Sequence, residues 1–230
     1  RRLKTAVDER QPDAVILVDF PDFNLRLAKA LKRKDVRVIY YISPQLWGWR
    51  KHRRRIIRDH VDLLLTILPF EKDWYANHGV HNVEYVGSPL AREVHVTVSK
   101  EDFCSKHGLD PLRPIVAFLP GSRHKEIARI LPPMLETAAI MACTDEKLQF
   151  IIALAPVRNF VEVDQAISKL ARSAIAIPTT FITIKDETYN VLNAANVAAV
   201  ASGTATLEAG IIGTPMAIVY KTSAFNYKLM

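Results

Sequence analysis

Cysteine, metal-ligand spacing and long apolar runs are what this 230-residue chain has least of. Its two cysteines, Cys104 and Cys143, stand isolated. They provide no disulfide framework and no metal motif, as expected of a protein in a reducing compartment. The seven histidines contain no HxxxH pair or similar spacing, so no zinc site can be read. No run approaches the roughly 18–20 apolar residues that span a bilayer, and no signal peptide opens the chain. Low-complexity tracts, short-period repeats and RNA- or DNA-binding modules are also missing, which argues against a nucleic-acid partner. What is there is globular in character. At 49% hydrophobic residues, the chain can bury a core in one or two domains.

Charge is placed unevenly. Residues 1–93 hold 18 Lys and Arg against 12 Asp and Glu, whereas residues 94–230 hold 13 against 12. Nearly all of the formal +7 therefore sits in the first part, which predicts an anionic partner there: a membrane surface, a nucleic acid or a phosphorylated substrate.

Two stretches of the second part share one grammar. VAFLPGSRHKEIARI (116–130) reads as strand, tight turn and helix. ASGTATLEAGIIGTPMAIVY (201–220) reads as small polar turn, helix and strand, with a strand before it. A turn at a helix start presents backbone N–H groups to an anion. Arg123 adds a permanently charged fork suited to phosphate oxygens, and Gly121, Ser122, Ser202, Gly203 and Thr204 supply the turns. Glu208 lies four residues after Thr204, on the same helix face and about 6 Å along the axis. That spacing fits a diphosphate at the helix start and ribose hydroxyls one turn deeper. The competing reading is two ordinary strand-to-helix turns. Glu126, in the first turn of the PGSR helix, reads as complementing the helix dipole.

Taken in order, the chain alternates strand and helix, which predicts parallel, doubly wound sheets. A charged helix (1–10) precedes strand 14–19, helix 22–34, strand 36–42, helix 45–58, strand 61–68, helix 70–78 and strand 82–87. GSPLAREVHVTVSK (87–100) is the linker, which gives domains at 1–92 and 93–230. Next come helix 99–107, strand 115–120, helix 125–142, strand 148–154, helix 159–170, a weak strand near 174–177, helix 186–195, strand 196–201, helix 204–212 and strand 215–220. FNYKLM looks like the start of another helix, and both ends read as cut.

Six stretches together carry a resemblance: VDFPDFNLRLAKALK (18–32), YYISPQLWGWRKHR (40–53), LPFEKDWY (68–75), YVGSPLA (85–91), LPGSRHKEI (119–127) and ASGTATLEAG (201–210). In this order and spacing they resemble the lipid-A-disaccharide synthases, inverting glycosyltransferases with two Rossmann-like domains facing a cleft (the GT-B fold). The resemblance implies that residues 1–92 form the acceptor side and residues 93–230 bind the nucleotide sugar. It further implies transfer of a sugar from UDP-2,3-diacylglucosamine to the 6-hydroxyl of 2,3-diacylglucosamine 1-phosphate, giving a β-1,6 disaccharide and UDP, with no metal or cofactor. Helix N-termini and Arg123 would then stabilise the leaving diphosphate.

Asp22 of the PDFN motif is carried over as the general base; its competing role is to cap the following helix. Asp19 reads as a structural residue at the strand end. The segment 46–58, with Trp47, Trp49, Arg50, Arg53, Arg54 and Arg55, reads either as a membrane-surface helix or as the grip on the acceptor phosphate, against a solvated basic helix with its tryptophans in the core. The implied location is cytoplasmic, peripheral on the inner face of the inner membrane, with oligomeric state open. The family's glycine-rich SGE-x-SGD loop and its last segment are not among these 230 residues. The alternatives are another UDP-sugar GT-B enzyme (a peptidoglycan glycosyltransferase or a UDP-N-acetylglucosamine 2-epimerase) and a non-catalytic UDP- or lipid-binding remnant.

Overall fold

The computed structural model describes residues 2–171 and 181–221. The chain forms two compact units, residues 1–92 and 93–230. Unit one opens with helix α1 (Arg2–Arg10) and carries a parallel sheet in the order β1-β2-β3-β4, formed by Ala14–Val18, Arg37–Tyr41, Leu63–Thr66 and Val83–Tyr85. Helices α2 (Pro21–Lys32), α3 (Arg54–His60) and α4 (Glu71–Ala76) connect successive strands. Helix α2 buries Leu25, Ala28 and Leu31 at the i, i+3, i+6 spacing of one helical face. They pack with Val38 and Tyr40 of β2, Leu64 of β3 and Ile57 of α3.

A buried carboxylate organises the loops of this unit. Glu71, at the first position of α4, is 1% exposed. Its Oε1 accepts from the Ser43 hydroxyl at 2.8 Å and from Trp47 Nε1 at 3.3 Å. Its Oε2 accepts from the N–H groups of Ile67 and Leu68. A buried carboxylate is tolerated only with such full satisfaction. Here it ties SPQLW, after β2, to LPFE, after β3.

A short helix, α5 (Leu90–Glu93), lies at the boundary between the units. Unit two holds the sheet order β7-β6-β5-β8-β9, all parallel. These strands are β5 (Ile115–Leu119), β6 (Gln149–Leu154), β7 (Phe181–Lys185), β8 (Val197–Ala201) and β9 (Met216–Val219). Helices α6 (Lys100–His107), α7 (His124–Thr144), α8 (Phe160–Ala171), α9 (Thr188–Ala194) and α10 (Thr204–Ile212) cover it. Every residue of β5 and β6 is buried, because both faces of these strands meet helices. Ile115, Ala117 and Leu119 pack with residues of α6, α9 and α10, while Val116 and Phe118 pack with α7. A strand covered on both faces reads as an unbroken apolar run, as IVAFL does.

Helix α7 is long and apolar enough to cross a membrane by length and composition. Its apolar face instead packs onto β5, β6 and α8, burying Ile127, Ile130, Leu131, Met134 and Leu135, so it is a core helix of this unit.

Two readings of the sequence are corrected. The helix expected over 45–58 begins only at Lys51, as a 3-10 turn (Lys51–Arg53) running into α3. Before it the backbone makes tight turns, with Leu46 N–H donating to Pro44 O and Gly48 N–H to Gln45 O, and Arg50 lies in the left-handed region at φ 54°. Strand β7 at 181–185 was not anticipated. The weak strand expected near 174–177 and the helix expected from 225 lie outside the described residues.

Candidate functional site

In unit two, neighbouring strands β5 and β8 pair in register from Val116↔Val197 to Leu119↔Val200. Chain order reverses here: β6 and β7 lie on one side of β5, β8 and β9 on the other. The two turns singled out in the sequence therefore leave adjacent strands at their carboxyl ends, at the topological switch point. In open parallel sheets this is where ligands bind. A cavity of about 600 Å³ opens there. Gly121, Ser122 and Arg123 line it together with Ser202, Gly203, Thr204 and Glu208, so all seven residues expected at a nucleotide site are brought together.

The first turn works differently from expectation. Its Ser122 and Arg123 N–H groups donate to Oε2 of Glu126, at 3.3 and 3.2 Å. Arg123 Nη1 donates to Oε1 of the same carboxylate at 2.6 Å. Burial pushes the Glu126 carboxyl up, but the Arg123 bond and the two amides outweigh it, leaving it below the usual glutamate range. Glu126 thus does more than complement a dipole: it takes the amides expected to face an anion. What this turn offers the cavity is the Arg123 guanidinium, whose side chain is 80% exposed.

In the second turn, Gly203 is extended and a Cβ there would meet nothing within 4 Å. The chain itself therefore gives no reason for glycine, and open space lies against its backbone. Thr204 begins α10, and Glu208 follows one turn on. Among the described residues Glu208 has no hydrogen-bond or ion-pair partner, and burial pushes its pKa up. An unpaired, half-buried carboxylate facing a cavity is placed to accept hydroxyl protons from a ligand.

Sequence reasoning missed the far wall. Asp186 and Tyr189, Ala153 near the end of β6 with Ala155 and Pro156 just after it, and Thr97 all line the cavity. Tyr189 stands near Glu208, and burial followed by that charge raises its pKa. Asn190 is buried and holds the segment before α6 in place, accepting from the Thr97 N–H at 3.0 Å and donating to its hydroxyl at 2.9 Å. No local pattern marks these residues, because they reach the site from three separate stretches of chain: the end of β6, the β7–α9 connection and the segment before α6.

If Glu208 binds a ribose, Glu208→Gln should weaken UDP about fivefold, the difference between charged and neutral acceptors. Melting temperature should hardly change, since the swap suits a helix. Because the raised pKa must stay below the working pH, affinity should also fall on acidification sooner than for an ordinary glutamate. Calorimetric UDP affinity equal to the parent's would remove this role.

In unit one, the PDFN motif sits on a constrained turn. Asp19 and Phe20 are both left-handed, at φ 45°. Two side chains pin them: Asn24 Nδ2 donates to Val18 O and Asp19 O at 3.0 and 2.7 Å, and the Tyr40 hydroxyl donates to Asp19 O at 2.7 Å. Asp22 does not cap α2, whose N-cap is Phe20 with no side-chain bond. Its Oδ1 instead accepts from Arg53 Nη2 at 2.5 Å and Arg50 Nη1 at 2.9 Å. These bonds, the Arg53 one foremost, hold its carboxyl below the usual aspartate range. The candidate base and two of the candidate anion-gripping arginines thus form one cluster.

The tryptophans part company. Trp47 turns inward, edge-on to Phe70 at 5.3 Å and bonded to Glu71. Trp49 is 58% exposed, with the Arg50 guanidinium 4.3 Å from its ring centroid. Arg54 bonds Lys51 O, and Arg55 is exposed. Among the described residues no group of three or more His, Cys, Asp or Glu is placed to hold a metal ion.

A sequence model of the lipid-A-disaccharide synthetase family matches residues 1–230. This chain belongs to the lipid-A-disaccharide synthetase family. Among curated relatives, it is 43% identical over 225 residues to the lipid-A-disaccharide synthase of Myxococcus xanthus and 42% identical over 226 residues to that of Syntrophus aciditrophicus. In both cases 98% of the chain is covered but 57% of the relative, so the chain spans just over half their length. In fold, this synthetase-family chain is similar to the S. aureus MnaA–UDP co-structure (TM-score 0.67, 12% identity, 99% of this chain and 64% of the other). It is also similar to the UDP-GlcNAc 2-epimerase of Neisseria meningitidis bound to UDP-GlcNAc (TM-score 0.63, 13% identity, 99% and 65%). At such identities the likeness shows a shared GT-B-like fold alone, while the family match runs through both units.

Proposed function

We propose that these residues belong to an inverting glycosyltransferase that joins UDP-2,3-diacylglucosamine and 2,3-diacylglucosamine 1-phosphate into a β-1,6 disaccharide, releasing UDP. The family match along the whole of residues 1–230 carries this reading. The seven residues gathered at the β5/β8 switch point support a nucleotide diphosphate in unit two. In this reading Arg123 and the 202–204 turn hold the diphosphate, and Glu208 accepts from the ribose. Unit one takes the acceptor: Arg50 and Arg53 meet its phosphate, and Asp22 receives the proton of the attacking 6-hydroxyl as the anomeric carbon–phosphate oxygen bond breaks. Incubation with radiolabelled donor and unlabelled acceptor tests the proposal. Labelled disaccharide supports it; UDP binding without product would make the chain a binding remnant, and release of an epimerised sugar would favour the epimerase alternative.

The acceptor is a lipid, and the exposed Trp49 with the cations of 50–58 favours peripheral contact with an anionic membrane surface, on the cytoplasmic face of the inner membrane. Each Lys or Arg near such a surface contributes about 1 kcal/mol, weakened by salt. Arg53 is tied to Asp22, so it should be spared in any test. Lys51→Glu and Arg55→Glu together with Trp49→Ala should abolish sedimentation with anionic vesicles while leaving UDP affinity intact. Vesicle binding that is absent in the parent, or indifferent to salt, would remove the membrane role.

A further inference from the structure

We infer that Glu126 is a positioning residue for the donor: it holds Arg123 at the cavity so that the guanidinium meets the diphosphate ready-oriented. This rests on the donor reading of that cavity. The Glu126 carboxylate is the fixed partner of the pair. Its Oε2 is bonded to the N–H groups of Ser122 and Arg123, and its side chain lies so close to Gly121 that a Cβ there would stand 2.7 Å from Oε2 and 3.0 Å from the Glu126 Cβ. Gly121 is also left-handed at φ 106°, so the position is closed to other residues on both counts. The carboxylate is therefore anchored from beneath, and its other oxygen is turned to Arg123 Nη1. Arg123 by contrast is long and exposed. An exposed ion pair adds little to stability. What it does provide is restraint: a guanidinium has five N–H donors, so one spent on Glu126 leaves the others for phosphate oxygens.

The same contacts permit an opposite role, in which Glu126 is an internal anion that the diphosphate must displace. The two roles differ in sign. A double-mutant cycle on the protein, read by calorimetry with UDP and by ligand-observed NMR with uridine, separates them. Glu126→Gln keeps an oxygen for the turn's amides but removes the charge. It should weaken UDP about three- to tenfold, the usual loss when a long side chain must be ordered on binding. Uridine, which has no phosphate, should bind as to the parent, and in an Arg123→Ala background Glu126→Gln should add nothing. Should Glu126→Gln fail to fold, Glu126→Asp, which shortens the reach, gives the same cycle. Tighter UDP binding in Glu126→Gln, an equal loss for uridine, or an equal loss in the Arg123→Ala background overturns the positioning role. Parental UDP affinity in Arg123→Ala alone also overturns the positioning role, whereas a parent that does not bind UDP overturns the donor reading itself.

Discussion

Asp22→Asn in the full-length enzyme is expected to lower turnover by about 10²–10⁴, the share usual for a general base, with little change in melting temperature. Both halves follow from where Asp22 lies. It sits on the second residue of α2 without a capping bond, so Asn forfeits no cap. Its partners Arg50 and Arg53 approach an exposed oxygen, and exposed pairs contribute little to stability. Asn keeps the size and one acceptor but cannot take a proton. Disaccharide formation alongside a thermal melt checks the expectation. Lost stability with retained turnover would make Asp22 structural.

The arginines give that role a pH signature. The Arg53 hydrogen bond, with the charges of Arg53 and Arg50, depresses the Asp22 pKa and keeps it ionised through the neutral range. Activity carried by Asp22 should therefore fail only as pH drops through that depressed value. Arg53→Gln removes the largest cause, so the acid limb of kcat/KM should move to higher pH, and Arg50→Gln should move it less. An acid limb unmoved by Arg53→Gln would mean that another group titrates. A depressed pKa also makes a weaker base, and a phosphate that drew the arginines away would relieve this during the reaction.

Most of the fold was legible because the chain obeys its periods. IVAFL and QFIIAL are buried on both faces and read as continuous apolar runs, while α7 carries its helical spacing openly. β7 was not legible: FITIK is an edge strand with only Ile184 fully buried, so its pattern is diluted. The 45–58 helix was misread because Leu46, Trp47, Ile56 and Ile57 mimic an apolar stripe that Pro44, Gly48 and left-handed Arg50 interrupt. At the nucleotide site the two turns could be found, since each is local in sequence. The cluster of Asp22 with Arg50 and Arg53 could not, nor could the grip of Glu71 on Ser43 and Trp47. Both are contacts between side chains some 24 to 31 positions apart that only the parallel sheet brings together.

Arg123→Ala should weaken UDP by roughly ten- to a hundredfold, because a charge-assisted contact of about 1.5–3 kcal/mol is lost and each 1.4 kcal/mol is tenfold. The effect should exceed that of any neighbour, since the amides of its own turn are already engaged by Glu126 and cannot substitute. The fold should survive, because the side chain is exposed and Glu126, its one partner among the described residues, keeps both amide bonds. Arg123→Lys should recover only part of the affinity. An ammonium restores the charge but not the planar fork that can face Glu126 with one N–H and phosphate oxygens with the others. Uridine binding should be indifferent to both changes, which separates lost phosphate contact from a damaged cavity. If Arg123→Ala binds UDP as the parent does, the diphosphate is held by the 202–204 turn alone, and the guanidinium at the mouth of this cavity serves some other anion.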